Sequence, residues 1–295
     1  MANSLLETMS AKVNAGEALT RDEICALAST PDILTVGMLA DGTRRCLLGT
    51  RVTYVRVAHV AFDGLVVGAV PPAAREVRLT GQPQTIDDAV AAVAAAKAEA
   101  GARMVSGFSL ADLLTLAVES SLESVLRTLR QAGLEMIAEA PLDRLPHPEA
   151  ALEALAVAGY ERVRLTVDRA PANERLDLLF LAGELKHRFR FIAAVNPLPM
   201  VLNAFRPTTG YQDAQMVALA RLAAPNIARV QVDWLRYGPK LAQVALIFGA
   251  DDLDSVSPLD DAPDGHRRSP MAEVRRNIEA AGFEPVERDG RFAIQ

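Results

Sequence analysis

Hydrophobic residues along this chain change their spacing again and again, and each change marks a new element. Runs dense in Val, Ile, Leu and Phe, short and bounded by polar or glycine residues, predict β-strands at Val52–Ala58, Leu65–Val70, Arg103–Phe108, Leu134–Glu139, Arg162–Asp168, Phe189–Asn196 and Arg229–Trp234. Between them the apolar positions fall three or four apart. Ile86, Val90 and Val93 share one helical face, and "SLADLLTLAVE" and "SSLESVLRTLRQAG" continue that pattern, the second closing on Gly133. Further helices fit residues 148–158, 173–187, 212–223, 239–248 and 270–281. Two more open the chain near 3–15 and 21–29, where Thr20 and Glu23 have the spacing of a capping box.

Strands that alternate with helices imply parallel pairing through helical crossovers. No glycine-rich dinucleotide or phosphate loop follows any strand, so a TIM-type (β/α) barrel, partial or modified, fits better than a doubly wound sheet. We expect one α/β barrel domain over residues 1–295, with a helical N-terminal extension (about 1–48) and a C-terminal helix and β-element (about 268–295). "DDLDSVSPLDDAPDGHRRSP" (251–270) reads as a polar surface connection, and Asp289-Gly290 as the turn of a small terminal β-element.

Composition narrows this picture. Half of the residues are hydrophobic and only 5% aromatic, so the core is aliphatic. A net charge of −6 argues against a nucleic-acid partner, and no apolar run reaches the roughly 20 residues of a membrane span. The polar, acidic N-terminus lacks a signal-peptide pattern, and a cytoplasmic protein is expected. The two cysteines, Cys25 and Cys46, are too few for a cluster site within one chain, and Cys25 is expected to be a buried apolar residue. His59, His147, His187 and His266 show no metal-ligand spacing, and no Ser or Cys nucleophile motif is present.

Candidate chemistry comes from strand alternation. Residues two apart share a face, which groups Arg162, Arg164, Thr166 and Asp168, and likewise Gln231 with Asp233. Glu139 and Asn196 end their strands, and His59 follows the first one. A barrel interior is ordinarily apolar. These residues therefore line a wet pocket, or else they pair with one another and fill the interior. Ligand contacts are expected at Gln231, Asp233, Glu139, Asn196, Arg164 and His59, and acid–base candidates are Glu139, Asp168 and Asp233.

Residues 211–253, "YQDAQMVALARLAAPNIARVQVDWLRYGPKLAQVALIFGADDL", together with "AGFEPVERD" (281–289), resemble the C-terminal part of a known family. It comprises the radical SAM enzymes of futalosine-pathway menaquinone biosynthesis and of F0 synthesis, such as aminofutalosine synthase and dehypoxanthinylfutalosine cyclase. "NAGEALTRDEICALAS", "GTRVTYV" and "SGFSLADLLTLAVESSLESVLRTLRQAGLEMI" extend the likeness upstream. The resemblance implies a radical-SAM-type barrel and places Gln231 and Trp234 on the family's strand motif. It also exposes departures. Carried forward without gaps, the family's C-x₃-C-x₂-C cluster motif falls on Val66, Val70 and Ala73, none of which can ligate iron. The family's glycine-rich cofactor segment is shortened away between Ala89 and Ser106, and its "GHxE" phrase near Val167–Ala170 does not match.

On these departures radical chemistry is not expected, no cofactor is expected, a [4Fe–4S] cluster is expected to be absent and S-adenosylmethionine binding is doubtful. The leading expectation is a non-radical or non-catalytic relative, a pseudoenzyme, that binds a pathway nucleoside or a catalytic homologue. The alternatives are a cofactor-independent lyase or hydrolase working through barrel carboxylates, and a structural partner subunit.

Overall fold

A computed structural model describes residues 2–63, 70–117, 120–197, 207–261 and 269–295. Three helices precede the first strand: α1 (Ala2–Asn14), α2 (Arg21–Ala28) and α3 (Ile33–Leu48). Then come β1 (Arg51–Ala61), β2 (Glu76–Thr80), α4 (Ile86–Ala100), β3 (Met104–Ser109), α5 (Leu110–Leu116), α6 (Leu122–Ala132) and β4 (Met136–Pro141). A 3-10 turn (Leu142–Arg144) leads to α7 (Pro148–Val157), β5 (Val163–Thr166), α8 (Ala172–Arg188), β6 (Ile192–Asn196) and α9 (Gly210–Ala223). The chain ends with β7 (Arg229–Asp233), α10 (Trp234–Ile247), β8 (Asp252–Val256), α11 (Pro270–Ala280) and β9 (Glu284–Glu287).

Strands β1 to β8 pair in parallel, each with the next, and β8 pairs with β1. The barrel is closed, not partial. Closure depends on the length of β1. Its first half pairs with β8 (Thr53 with Asp252) on one side and β9 (Arg51 with Glu284) on the other, and its second half pairs with β2 (Val57 with Glu76). β9 thus occupies the gap beneath β2, and the terminal β-element is part of the barrel wall.

Three elements differ from the sequence expectation. The candidate strand Leu65–Val70 falls on residues outside the described set except for Val70, which is not in a strand, and the second barrel strand is β2. Within the supposed connection 251–270 lies β8, whose acidic residues gave it the look of a loop. Helix α3 escaped notice because Gly37 and Gly42 interrupt its apolar pattern. Gly37 is required there, since a Cβ would stand 2.9 Å from the ring of Phe248. Cys25 is exposed rather than buried. Among the described residues no helix is long and apolar enough to cross a membrane.

Alternation along each strand separates two environments. Val77, Leu79, Val105, Ile137, Val163, Leu165, Val230, Val232 and Leu253 join the apolar core shared with the surrounding helices. The inner face instead carries buried charge. Asp254 accepts both guanidinium N–H groups of Arg78, at 2.7 and 2.9 Å, and is also paired with Arg164. Glu76 accepts from Arg78 at 2.6 Å and from the Ser106 hydroxyl. Nearer the N-terminal ends of the strands, Asp252 takes two bonds from Arg288, at 2.6 and 2.7 Å, and further bonds from Thr53 and Gln231. Three arginines and three carboxylates therefore balance inside the barrel. Burial alone would raise the acids, but Arg164 and Arg78 hold Asp254 well below the usual carboxylate range, and Arg288 holds Asp252 below it.

Such groups are costly to strand. Removing one member of a buried pair leaves an uncompensated charge, at about 3–5 kcal/mol. Arg288→Ala should therefore lower unfolding stability by about that amount, because Asp252 loses both bonds and β9 loses its anchor. Joint replacement, Arg288→Met with Asp252→Leu, should cost less than Arg288→Ala alone. Urea unfolding of the three variants measures both effects.

Candidate functional site

The ion layer closes the barrel interior, and a second polar group gathers above it at the C-terminal ends of β4 to β7. Arg78, Glu139, Arg164, Thr166, Asp168, Asn196, Asp233 and Arg236 line one cleft, whose inner space of about 20 Å³ has room for a single water. Each side chain is placed by its element. Glu139 is near the end of β4, Asn196 ends β6 and Asp233 ends β7. Asp233 also caps α10, accepting from the Arg236 N–H at 3.0 Å, which swings the Arg236 side chain over the mouth. The nearest approach of Arg236 to Glu139 is 3.8 Å.

Asp168 sits just beyond β5 on a turn that is held from two sides. The Asp143 carboxylate accepts the backbone N–H groups of Asp168, Arg169 and Ala170 at 2.8, 2.5 and 2.9 Å. Arg175 of α8 donates to the carbonyls of Asp168, Ala170 and Pro197, each at 3.0 Å, tying the same turn to the exit of β6. Asp168 is only 8% exposed. Burial, then the charges of Glu139 and Asp143, push its carboxyl up to about 6, against the pull of Arg236 and Arg144.

A third cluster joins β1, β7 and β8. Ser255 adopts a left-handed backbone (φ 59°), which a serine adopts at a cost of roughly 1–3 kcal/mol. The twist turns its hydroxyl inward beside Asp254, where it donates to Asp233 at 3.0 Å and lies 3.4 Å from His59 Nε2. Burial and the nearby Arg78 lower the His59 pKa, so the ring is neutral near pH 7.

The sequence-derived candidates divide accordingly. Glu139, Asp168, Asn196 and Asp233 do converge, and His59 lies at their edge through Ser255. Arg164 reaches the cleft while its charge is committed to Asp254. Gln231 belongs elsewhere. It is fully buried below the ion layer, bonded to Asp252, and cannot meet a ligand at the mouth. Arg162 precedes β5 and pairs with Glu161. Of the three positions aligned with the cluster motif, Val66 lies outside the described residues, and Val70 and Ala73 are half-buried before β2. Sequence reasoning missed Arg78, Glu76 and Asp254 because it missed β2 and β8. Their period-two signal was present in "EVRLT" and "DLDSV".

Residues 194–295 match the family described as the CofH/MqnC C-terminal region. The chain is 33% identical over 135 residues to the 5-amino-6-(D-ribitylamino)uracil–L-tyrosine 4-hydroxyphenyl transferase 2 of Methanosarcina barkeri, covering 40% of this chain and 35% of that one. It is 26% identical over 193 residues to the cyclic dehypoxanthine futalosine synthase of Streptomyces coelicolor, covering 57% and 48%. The resemblance read from the sequence holds: this chain is similar to the radical SAM enzymes of the futalosine and F0 pathways. The matched stretch spans about a third of the length of the Methanosarcina enzyme. The fold matches the FeFe-hydrogenase maturase HydG of Carboxydothermus hydrogenoformans with a TM-score of 0.69 at 13% identity, over 99% of this chain and 81% of that one.

These similarities correct the expectation of a protein without cofactors, for the relatives and structural neighbours are radical SAM enzymes that bind a [4Fe–4S] cluster and S-adenosylmethionine. The chain's own thiols do not fit a three-cysteine cluster set. There are two, exposed, on α2 and α3, ahead of the first strand. The mouth offers oxygen and nitrogen ligands, and among the described residues no group of three or more His, Cys, Asp or Glu is arranged to hold a metal ion.

Asp168 makes the mouth pH-sensitive. Its folded pKa of about 6 lies above the ordinary 3.8, so the folded state holds a proton that the unfolded chain has released. That stabilisation is complete below the unfolded value and is lost as pH rises through about 6. Asp168→Asn should thus raise stability by roughly 1–3 kcal/mol at pH 7.5, with the gain disappearing near pH 4. Thermal unfolding across that range is the measurement.

Proposed function

We propose that this protein binds a small polar, nucleoside-like molecule at the barrel mouth, in or near the futalosine or F0 routes to which its relatives belong. The observation that carries this reading is the convergence of Glu139, Asp168, Asn196, Asp233 and Arg236 from four successive strands and one helix start, above a floor closed by Arg78, Asp254 and Arg164. A closed floor stops a ligand from entering the barrel, so it rests across the strand ends. Glu139 and Asp233 are placed to accept hydroxyl or amine protons, Arg236 to bond or stack against a ring, and Asp168 to give or take a proton.

A second reading has an observation of its own. The filled interior also suits a subunit that acts through its surface on a catalytic homologue, with the mouth polar but idle. Binding separates the two readings. Isothermal calorimetry against futalosine-pathway nucleosides and S-adenosylmethionine should give a saturable signal. That signal should weaken roughly tenfold or more in Glu139→Gln and in Asp233→Asn, as for loss of a hydrogen bond to a charged group. Asparagine keeps the helix cap, so the second variant should remain folded. No heat with any of these molecules, together with co-elution with a catalytic homologue, would favour the partner subunit.

A further inference from the structure

Two polar groups at the bottom of the cleft have no hydrogen-bond partner among the described residues, and a carboxyl stands beside them. Arg164 spends its Nη1 on Asp254, yet its Nε is buried without a hydrogen bond. The Thr166 hydroxyl, two residues along the same strand, is likewise buried and unpaired. The Asp168 carboxyl, on a residue only 8% exposed, stands beside them. All three residues line the same 20 Å³ space. Buried polar groups in folded proteins are nearly always satisfied, and one that is not costs about 1–3 kcal/mol, so two around one small space mark a place where something is held.

The chemistry of the three groups defines what that is. Arg164 Nε–H can only donate, and the Thr166 hydroxyl is free to donate. A neutral Asp168 carboxyl donates as well. Three donors around room for one atom suit one acceptor oxygen. We propose that this floor is a subsite for a single carbonyl (oxo) oxygen of the ligand, held by Arg164 Nε, Thr166 Oγ and the protonated carboxyl of Asp168. The inference rests on the reading of the mouth as a nucleoside site and adds the part of the ligand that enters deepest.

The groups around Asp168 set the pH at which the subsite works. Glu139 of β4, Asp143 beside it and Asp233 of β7 favour the proton; Arg144, Arg236, Arg164 of β5 and Arg175 of α8 oppose it. Desolvation decides the balance, and the carboxyl titrates at about 6. Ionised, it would face the ligand oxygen with a like partial charge and no proton.

Inosine and adenosine, which differ by an oxo in place of an amino group and by the N1 proton that accompanies it, are suitable probes, and neither titrates between pH 5.5 and 7.5. With the full chain in calorimetry, inosine should bind roughly 20-fold more tightly at pH 5.5 than at pH 7.5, following the protonated fraction of Asp168. Adenosine should show no such gain. In Asp168→Asn, whose amide donates at every pH, inosine should bind equally well at both values. Thr166→Val should weaken inosine and leave adenosine unchanged. Equal binding of both nucleosides, or inosine binding that ignores pH in the unaltered protein, overturns the oxo subsite while leaving the mouth as a nucleoside site. Failure of both nucleosides to bind at either pH overturns the subsite and the nucleoside reading together.

Discussion

The Asp254 carboxylate, gripped by Arg78 from one side of the barrel and Arg164 from the other, is the constraint on which the rest of this molecule turns. β8 is separated from β2 by β1 and from β5 by the two strands between, so the cluster reaches across the interior rather than along a wall. It substitutes polar contacts for the branched apolar layers that usually fill such barrels. Because each charge is met, the arrangement is tolerable; because each is fully buried, it has little freedom to rearrange. The local distortion at Ser255 belongs to the same device, since a left-handed residue after Asp254 lets both side chains face inward.

That layer divides the barrel into two compartments with different duties. Below it, Arg288 and Asp252 join the C-terminal segment to the strand starts, and Gly290 packs so close to Glu76 and Met104 that a Cβ would lie about 3 Å from both. This end is a seal. Above it, hydrogen bonds are incomplete, one carboxyl is protonatable near neutrality, and Arg236 meets Glu139 only at 3.8 Å. Stability thus resides beneath the Arg–Asp layer and chemical potential above it, the usual division between the two ends of a (β/α) barrel.

Much of this was legible in the sequence, for identifiable reasons. The aliphatic strands β3 to β7 announce themselves because their outer faces pack under helices and must be hydrophobic. Alternation within β5 and β7 placed Arg164, Thr166, Asp168 and Asp233 on the inside, where they are found. The same rule misjudged Gln231, because alternation gives the face but not the height, and two residues along a strand separate the sealed layer from the mouth. β2 and β8 were obscured by the feature that makes them important. Their inner residues are charged, and a charged period-two run resembles a surface loop until its partners on distant strands are known. Asp143 and Arg175 were beyond reach for a different reason: they act on backbone groups of a turn, and no side-chain pattern records that.

The similarity to radical SAM enzymes and the composition of the mouth now bear on each other. The family match covers the last third of the chain, which supplies β7, β8, β9, Asp233, Arg236, Asp254 and Arg288. Those residues build both the seal and half of the mouth. The rest of the mouth comes from earlier in the chain, where Thr166 ends β5 and Asp168 stands in a turn held by Asp143 and Arg175. The matched region therefore supplies one wall of the site. The opposite wall brings the unpaired donors of Arg164 and Thr166 to a carboxyl whose charge is set by burial. A ligand at the mouth would meet both walls at once, because the ion layer beneath closes the barrel interior.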